Sequence, residues 1–307
     1  MSRFTDLLPD HVLQWVVNAA DPQADVVSVQ RLYGGISSLL HSITLNSSGT
    51  EKSFVLRQLT NKEWLSEEPD LALHEAESLR WAAQIQVRTP EVIAFDGAGD
   101  ASGIPAVLMT RLEGSVVLSP PDRELWVDGI AGALALVHRT DAEGFPWAHF
   151  RYNDPAAVEK PLWSRHPHLW EEAFKIIREA PPAVQPCFIH RDYHPANVLW
   201  KDRAVSGIVD WVNACRGPAG IDVGHCRVDL AQLVGIETAD AFLSAYISHA
   251  GRAFTYEPYW DLVSLVDILF GTPEVYAGWT DLGMTGLTNE LIRERLDDYL
   301  VSLLKRV

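Results

Sequence analysis

Cysteine is scarce. The three thiols in 307 residues, Cys187, Cys215 and Cys226, are odd in number, and no pair has the spacing of a zinc knuckle. A disulfide scaffold is excluded, and a reducing cytoplasm is the expected compartment. Basic residues are also short: 25 Lys and Arg stand against 41 Asp and Glu, a net charge of −16. With no basic face to release counterions from a polyanion, nucleic acid is not an expected partner. The acidity suits a cationic small molecule, and it equally serves solubility. Long apolar runs are missing. The longest, residues 129–137, is far short of a membrane span, so no membrane association is expected. The opening Met-Ser-Arg-Phe-Thr-Asp has no apolar run behind its charge, and no signal peptide is expected. There is no internal repeat, low-complexity tract or coiled-coil heptad. What remains, 47% hydrophobic and 21% charged, is the composition of an ordinary globular chain with room for one large or two medium domains.

Residues 188–211 carry the clearest chemistry. Phe188 and Ile189 lead into a polar loop containing His190, Asp192, His194 and Asn197. Val198, Leu199 and Trp200 leave the loop, Lys201-Asp202-Arg203 turns the chain, and a second apolar strand over residues 205–209 ends on Asp210. A returning hairpin is expected to bring Asn197 and Asp210 to the same edge as Asp192. Two oxygen donors beside a further carboxylate suit a hard cation and a base.

The remainder divides by periodicity. Residues 9–20 place Val12, Leu13, Trp15, Val16 and Val17 on one side of a helix. Strands are expected at 26–32, 39–45, 53–59, 92–95 and 106–109. A helix is expected over 69–86, with Leu71, Leu73, Ala76, Leu79, Ala82 and Ala83 as its apolar positions. Between the first two strands, Gly34-Gly35 followed by Ser37 and Ser38 reads either as a plain turn or as a loop whose N–H and hydroxyl groups approach phosphate. Beyond residue 120 the patterns are helical, at 122–139, 170–179, 228–234, 239–250, 259–270 and 289–304. Residues 145–168 are irregular and aromatic. Eight of the eleven tryptophans lie after residue 118. They suit either a packed helical core or a lining that stacks on a sugar or covers a cation.

The run His190-x-Asp192-x-x-x-x-Asn197, with a following strand that ends in Asp210-Trp211, closely resembles the catalytic core of the aminoglycoside phosphotransferase family, a branch of the protein-kinase-like small-molecule phosphotransferases. The resemblance implies an α+β, two-lobed fold: an N-terminal nucleotide-binding lobe over residues 1–111, built on a small antiparallel sheet, and a mainly helical catalytic and acceptor-binding lobe over 112–307. It implies that Asp192 accepts the proton of a substrate hydroxyl, and that Asn197 and Asp210 hold Mg²⁺ on the phosphates of ATP or GTP bound between the lobes. It makes Gly34, Gly35, Ser37 and Ser38 the nucleotide-covering loop. Arg57 becomes the basic strand residue on the inner phosphates, with Lys52 as its rival, and Glu75 the helix partner of Arg57, with Glu77 as fallback. The purine would meet the Thr110 carbonyl and the Leu112 N–H, with Met109 packing behind. His190 and Asp222 are expected to brace the loop. The implied activity is transfer of a γ-phosphoryl group to a hydroxyl of a small molecule: an aminoglycoside or other antibiotic, or a metabolite such as choline, homoserine or a sugar. Two other classes stay open: a non-catalytic nucleotide binder, and a metal-dependent hydrolase using His190, Asp192 and His194 as ligands. Acceptor contacts are sought within residues 145–179 and on the C-terminal helices, with Glu171, Glu172, Asp229, Asp261 and Asp267 as candidates, each of which reads first as a surface charge and only second as a ligand.

Overall fold

The computed structural model describes residues 8–32, 38–154 and 156–307. The chain forms two compact units. One comprises residues up to Gln84, Arg88–Glu113 and Ile208–Asn213, and the other Ile85–Val87, Gly114–Gly207 and Ala214–Val307. The short return of Ile208–Asn213 into the first unit places Asp210 and Trp211 there. Gly34, Gly35 and Ser37 lie outside the described residues.

The first unit opens with α1 (Asp10–Ala20), followed by β1 (Asp25–Leu32), β2 (Ser38–Ser47) and β3 (Thr50–Leu59). Next come α2 (Lys62–Glu67), α3 (Leu71–Ala82), β4 (Val92–Asp96) and β5 (Ala106–Thr110). The strands form one antiparallel sheet in the order β1-β2-β3-β5-β4. Alternation along β3 gives the sheet two distinct faces. Phe54 and Leu56 face a core with Leu8, Val12, Leu13 and Val16 beside α1 and with Val29, Ile43 and Leu108 of the neighbouring strands. Arg57, one residue out of phase, pairs in register with Leu40 and Val107 on the opposite face, where α3 supplies Glu75. The unit therefore holds a sheet between helices, with Val12, Leu13 and Val16 of α1 buried against one face. Leu73 and Ala83, expected on the apolar side of α3, are exposed. The buried side runs through Leu71, Ala72, Glu75, Ala76, Leu79 and Ala82, because the helix ends at Ala82 and turns its i, i+4, i+8 ridge to the sheet.

The second unit is mainly helical. The two-residue strand β6 (Ser115–Val116) leads to α4 (Arg123–Val137), which is capped by Asp122 accepting from the Leu125 N–H at 3.2 Å. Leu125, expected inside, is exposed in the first turn, whereas Ile130, Leu134 and Val137 are buried. After α5 (Pro167–Ile177) come β7 (Cys187–Ile189), β8 (Val198–Lys201), β9 (Ala204–Ile208) and β10 (Cys215–Gly217). β7 pairs with β10, and β8 lies between β6 and β9. The helices α6 (Ala219–Leu233), α7 (Ile236–Ala250), α8 (Pro258–Asp267), α9 (Ala277–Asp281) and α10 (Asn289–Leu304) complete the unit. The periodic patch expected at 228–234 is the second half of α6, whose first half begins directly after Pro218.

Close helix packing fixes the orientation of α6. A Cβ on Gly224 would stand 2.9 Å from the Trp260 carbonyl of α8, a separation only glycine tolerates. That contact sets which face of α6 turns toward the loop after β7. Trp126, Trp170, Trp200, Trp211, Trp260 and Trp279 are buried, so for these the core reading of the tryptophans holds, while Trp147 and Trp163 are partly exposed. Asp261 is a core residue and not a surface charge. Its carboxylate pairs with the fully buried Arg227, which also donates to Tyr256 (3.0 Å) and Asp240 (2.7 Å). Among the described residues no helix is long and apolar enough to cross a membrane.

Candidate active site

In the second unit the loop after β7 is built around Asp222. Its fully buried carboxylate accepts from the backbone N–H of His190 (2.7 Å) and of Arg191 (2.6 Å), and from His138 Nε2 (3.0 Å). The other ring nitrogen of His138 lies 2.6 Å from the Tyr246 hydroxyl. Burial alone would raise the Asp222 carboxyl, but the His138 contact and the backbone donors outweigh it and hold the group below the usual range. The loop is thereby anchored from the first turn of α6, and Arg191 adopts a left-handed φ of +68°, which costs a non-glycine residue about 1–2 kcal/mol.

Asp192 follows, with about a third of its side chain exposed. Its Oδ1 lies 3.3 Å from His225 Nε2 and 3.8 Å from His194 Nε2. His194 Nδ1 is in turn 3.5 Å from Asp229. Asn197 closes the loop in a short 3₁₀ turn and donates from its amide to the Asp192 carbonyl at 2.9 Å. That bond turns the Asn197 amide nitrogen inward and leaves its oxygen as the outward donor atom. Burial opposes ionisation of Asp192, but the His225 hydrogen bond and the charges of His194, His225 and His190 override it, and the carboxyl lies well below its ordinary value. Burial likewise opposes a charge on His225, yet the bond to Asp192 and the charge of Asp229 push it up to about 9. Asp229 is raised, chiefly by burial.

His225 and Asp229 were not expected beside Asp192. Asp222, His225 and Asp229 stand at i, i+3 and i+7 on α6, one helical face, and that spacing was the signal available in the sequence. A prediction follows from the elevated His225. Its charged form is favoured in the folded state, so the stabilisation is fully present below pH 6.5, its ordinary value, and is lost as pH rises through about 9. In His225→Gln the fall in melting stability between pH 6.5 and 9 should shrink by on the order of 2 kcal/mol. Parallel wild-type and variant curves across that range, from calorimetric melting at half-unit pH steps, would remove the ion pair.

The first unit assembles a second group of expected site residues. Arg57, nearly buried on β3, places Nη1 3.3 Å from Glu75 and Nη2 2.7 Å from Asp210. Glu75 is fully enclosed, and burial raises it to about 7, with Asp210 adding to the rise and Arg57 opposing it. Glu77, the fallback, is exposed and pairs with Arg80 instead, and Lys52 is exposed at the start of β3. Asp210 takes a left-handed φ of +69°, and its carboxylate is about a quarter exposed. Ser38 is buried at the start of β2, opposite Leu59. Met109 is buried on β5, on the same face of the sheet as Arg57. The Thr110 N–H donates to the Glu91 carbonyl, and Leu112 is partly buried, with no hydrogen bond to it among the described residues.

Asn197 and Asp210 lie in different units, and the donors they offer, one amide oxygen and one carboxylate, are the hard type that Mg²⁺ takes alongside phosphate and water. Among the described residues no three His, Cys, Asp or Glu form a group that could hold a metal ion, the run His190, Asp192 and His194 included. Of the acceptor candidates, Glu171 pairs with Lys160 on the surface and Glu172 is exposed, while Asp229 faces His194. Asp267, raised to about 6 by burial, accepts from the Asn153 N–H at 3.4 Å. Asn153 also borders a cavity of about 480 Å³ lined by Asp154, Val158, Glu159, Leu162, Trp163 and Leu269 among others.

Comparison with known proteins agrees with this architecture. A homoserine kinase of Chelativorans sp. (strain BNC1) is 29% identical over 147 residues, 42% of this chain and 42% of that enzyme, so the alignment spans less than half of its length. The crystal structure of aminoglycoside phosphotransferase APH(4)-Ia superposes with a TM-score of 0.61 at 15% identity, covering 95% of this chain and 98% of that one. A thermostable mutant of the same enzyme, in ternary complex with AMP-PNP and hygromycin B, gives 0.59 at 16% identity over 94% of this chain and 98% of its own. Macrolide 2′-phosphotransferase MphH from Brachybacterium faecium gives 0.54 at 17% identity, over 93% and 97%. These likenesses establish a protein-kinase-like α+β fold. The model of the phosphotransferase enzyme family known as APH matches residues 42–270 of the 307, and the chain belongs to that family.

Proposed function

We propose that the protein transfers the γ-phosphoryl group of ATP or GTP to a hydroxyl of a small molecule, with Asp192 as the proton acceptor. The observation that supports this most is the Arg57–Glu75–Asp210 linkage. It gathers a phosphate-binding fork, the acid that aims it and a carboxylate donor, the parts that a site for a nucleotide triphosphate and its cation calls for. Asp192, held ionised by His225, orients the acceptor hydroxyl through a hydrogen bond. It takes the proton late, as the new P–O bond forms and charge leaves the alcohol. Arg57 binds phosphate oxygens through its planar edge, exchanging Asp210 for another anion on Nη2. Asn197 and Asp210 would hold Mg²⁺, which when bound neutralises charge on the phosphates. Gly34, Gly35, Ser37 and Ser38 are proposed to cover the nucleotide. The Thr110 carbonyl and Leu112 N–H would meet the base, with Met109 behind it.

The acceptor is proposed to occupy the cavity lined by Asn153, Asp154, Glu159, Trp163, Leu269 and Thr272 among others. An aminoglycoside or another antibiotic suits the acidity of the chain and its structural neighbours. A homoserine-type metabolite kinase is a second reading, favoured by the sequence match to homoserine kinase. The test is release of ADP or GDP by purified protein with hygromycin B, L-homoserine, choline and a macrolide in turn. Turnover should require one acceptor, stop with EDTA and return with Mg²⁺. Acceptor-independent, metal-independent nucleotide cleavage would reject the proposal.

A further inference from the structure

Arg191, the residue before Asp192, reaches away from the loop and grips the segment that walls the cavity. Its guanidinium carbon lies 3.9 Å from the ring centroid of Phe150 and 3.9 Å from that of Tyr152, and its Nη2 donates to the Phe150 carbonyl at 2.9 Å. The two rings meet edge to face, 5.7 Å apart. Arg191 is buried although Phe150 and Tyr152 are each nearly half exposed, so the cation is covered by rings that solvent reaches from the other side. The next residues extend the grip. The Arg151 Nη1 donates to the Ile177 carbonyl at 2.7 Å, and the Asn153 amide to the carbonyls of Val266 (3.0 Å) and Asp267 (3.2 Å). The cavity wall begins at Asn153.

The backbone gives no reason for an arginine here. At φ +68° glycine would be unstrained, and the Arg191 N–H bond to Asp222 is available to any residue except proline. The side chain must therefore contribute through what it holds, and a guanidinium between two aromatic rings is a firm hold. We propose that Arg191 is a positioning residue that locks the acceptor-binding wall to the catalytic loop, so that the placement of Asp192 against the acceptor hydroxyl depends on the Phe150–Arg191–Tyr152 clamp. The functional half of this rests on the phosphotransfer reading above, and the mechanical half does not.

Hydrogen exchange read by mass spectrometry tests the mechanical half with no ligand. In Arg191→Gly, amides across 150–163 should exchange about tenfold faster or more, while the melting temperature changes little because the backbone strain is relieved. In Phe150→Leu/Tyr152→Leu, both changes lie outside the loop, yet the His190 and Arg191 amides should also exchange faster. Arg191→Lys, which keeps the charge without the plane, should fall between wild type and Arg191→Gly. Combining the wall and loop substitutions should add little beyond either, since each breaks the same contact. In turnover with hygromycin B and with L-homoserine, the acceptor KM should rise about tenfold in Arg191→Gly with the ATP KM within about twofold. Unchanged exchange in the wall, or fully additive losses, overturns the clamp. Coupled exchange without ADP release on any acceptor supports the clamp and defeats the phosphotransfer reading instead. Acceptor-dependent turnover with an unaltered acceptor KM in Arg191→Gly overturns the positioning role.

Discussion

Asp192→Asn is expected to lower kcat by about 10²–10⁴ with the acceptor that wild type turns over, and to leave nucleotide affinity within a fewfold of wild type. Asparagine keeps the size of the side chain and can still meet His225, so the loop should stand. What is lost is the negative charge proposed to receive the proton. The carboxyl of Asp192 is held well below its ordinary range, by His225 and then by the charges of His194 and His190. Ionisation of Asp192 itself therefore cannot produce an acid limb near neutrality, and its loss should depress turnover evenly across pH 6–8. A second readout follows from the same contact. His225 is pushed up to about 9 largely by its bond to Asp192, so in Asp192→Asn its titration, followed by NMR of the ring protons, should move down toward the ordinary histidine range. Wild-type turnover in the variant would remove Asp192 from the chemistry. An unmoved His225 would show that Asp229 alone holds it.

Much of this architecture can be read along the chain, because it is local. The alternation in β2 and β3, the length of α10 and the polar loop between two apolar strands are each set by neighbours in sequence. Expectation and structure agree there within a few residues. The departures are non-local. Asp261 looks like any acid on a helix, and only the meeting of α6 and α8 gives it Arg227 as a buried partner. Leu73 and Leu125 look like core residues, but Leu73 lies off the buried Leu71, Glu75 and Leu79 ridge of α3, and Leu125 sits in the exposed first turn of α4. The stretches 145–154 and 156–166 have no period to read, because beyond a single backbone bridge at Ala148 they are held largely by side chains such as Arg191 and Asn153. Asp192 was legible as a candidate base from its loop. Its electrostatic surroundings were not, since they come from a helix that starts 27 residues later. Even so, the Asp222, His225, Asp229 spacing marks a polar stripe on an otherwise buried helix, and such a stripe calls for partners.

That stripe begins with the residue whose loss should do the widest damage. Asp222→Asn removes one charge and adds two donors at a site where three donors already converge: the His190 and Arg191 N–H groups and His138 Nε2. A single amide oxygen can satisfy at most part of that set. The amide nitrogen would face an N–H group with no water to separate them, since Asp222 is fully buried. Leaving buried donors unpaired costs roughly 1–3 kcal/mol each, and breaking a buried charged contact costs about 3–5 kcal/mol, so a loss of roughly 3–5 kcal/mol is expected. The Asp222 carboxyl is depressed in the folded state, so its contribution is present above its unfolded value of about 3.9 and is lost as pH falls below it. Wild type should therefore show an acid-side loss of stability that Asp222→Asn lacks. Turnover should fall by about 10² even where the variant remains folded, because Asp192 directly follows the two residues whose amides Asp222 holds and small displacements of a reacting group are costly. Guanidinium melts at about pH 2.5 and at pH 7, with kcat measured at a temperature where both proteins are folded, separate the two effects. A variant as stable as wild type at pH 7 would mean that the loop is held by something other than this carboxylate. A variant that is destabilised yet fully active would mean that the position of Asp192 does not depend on it.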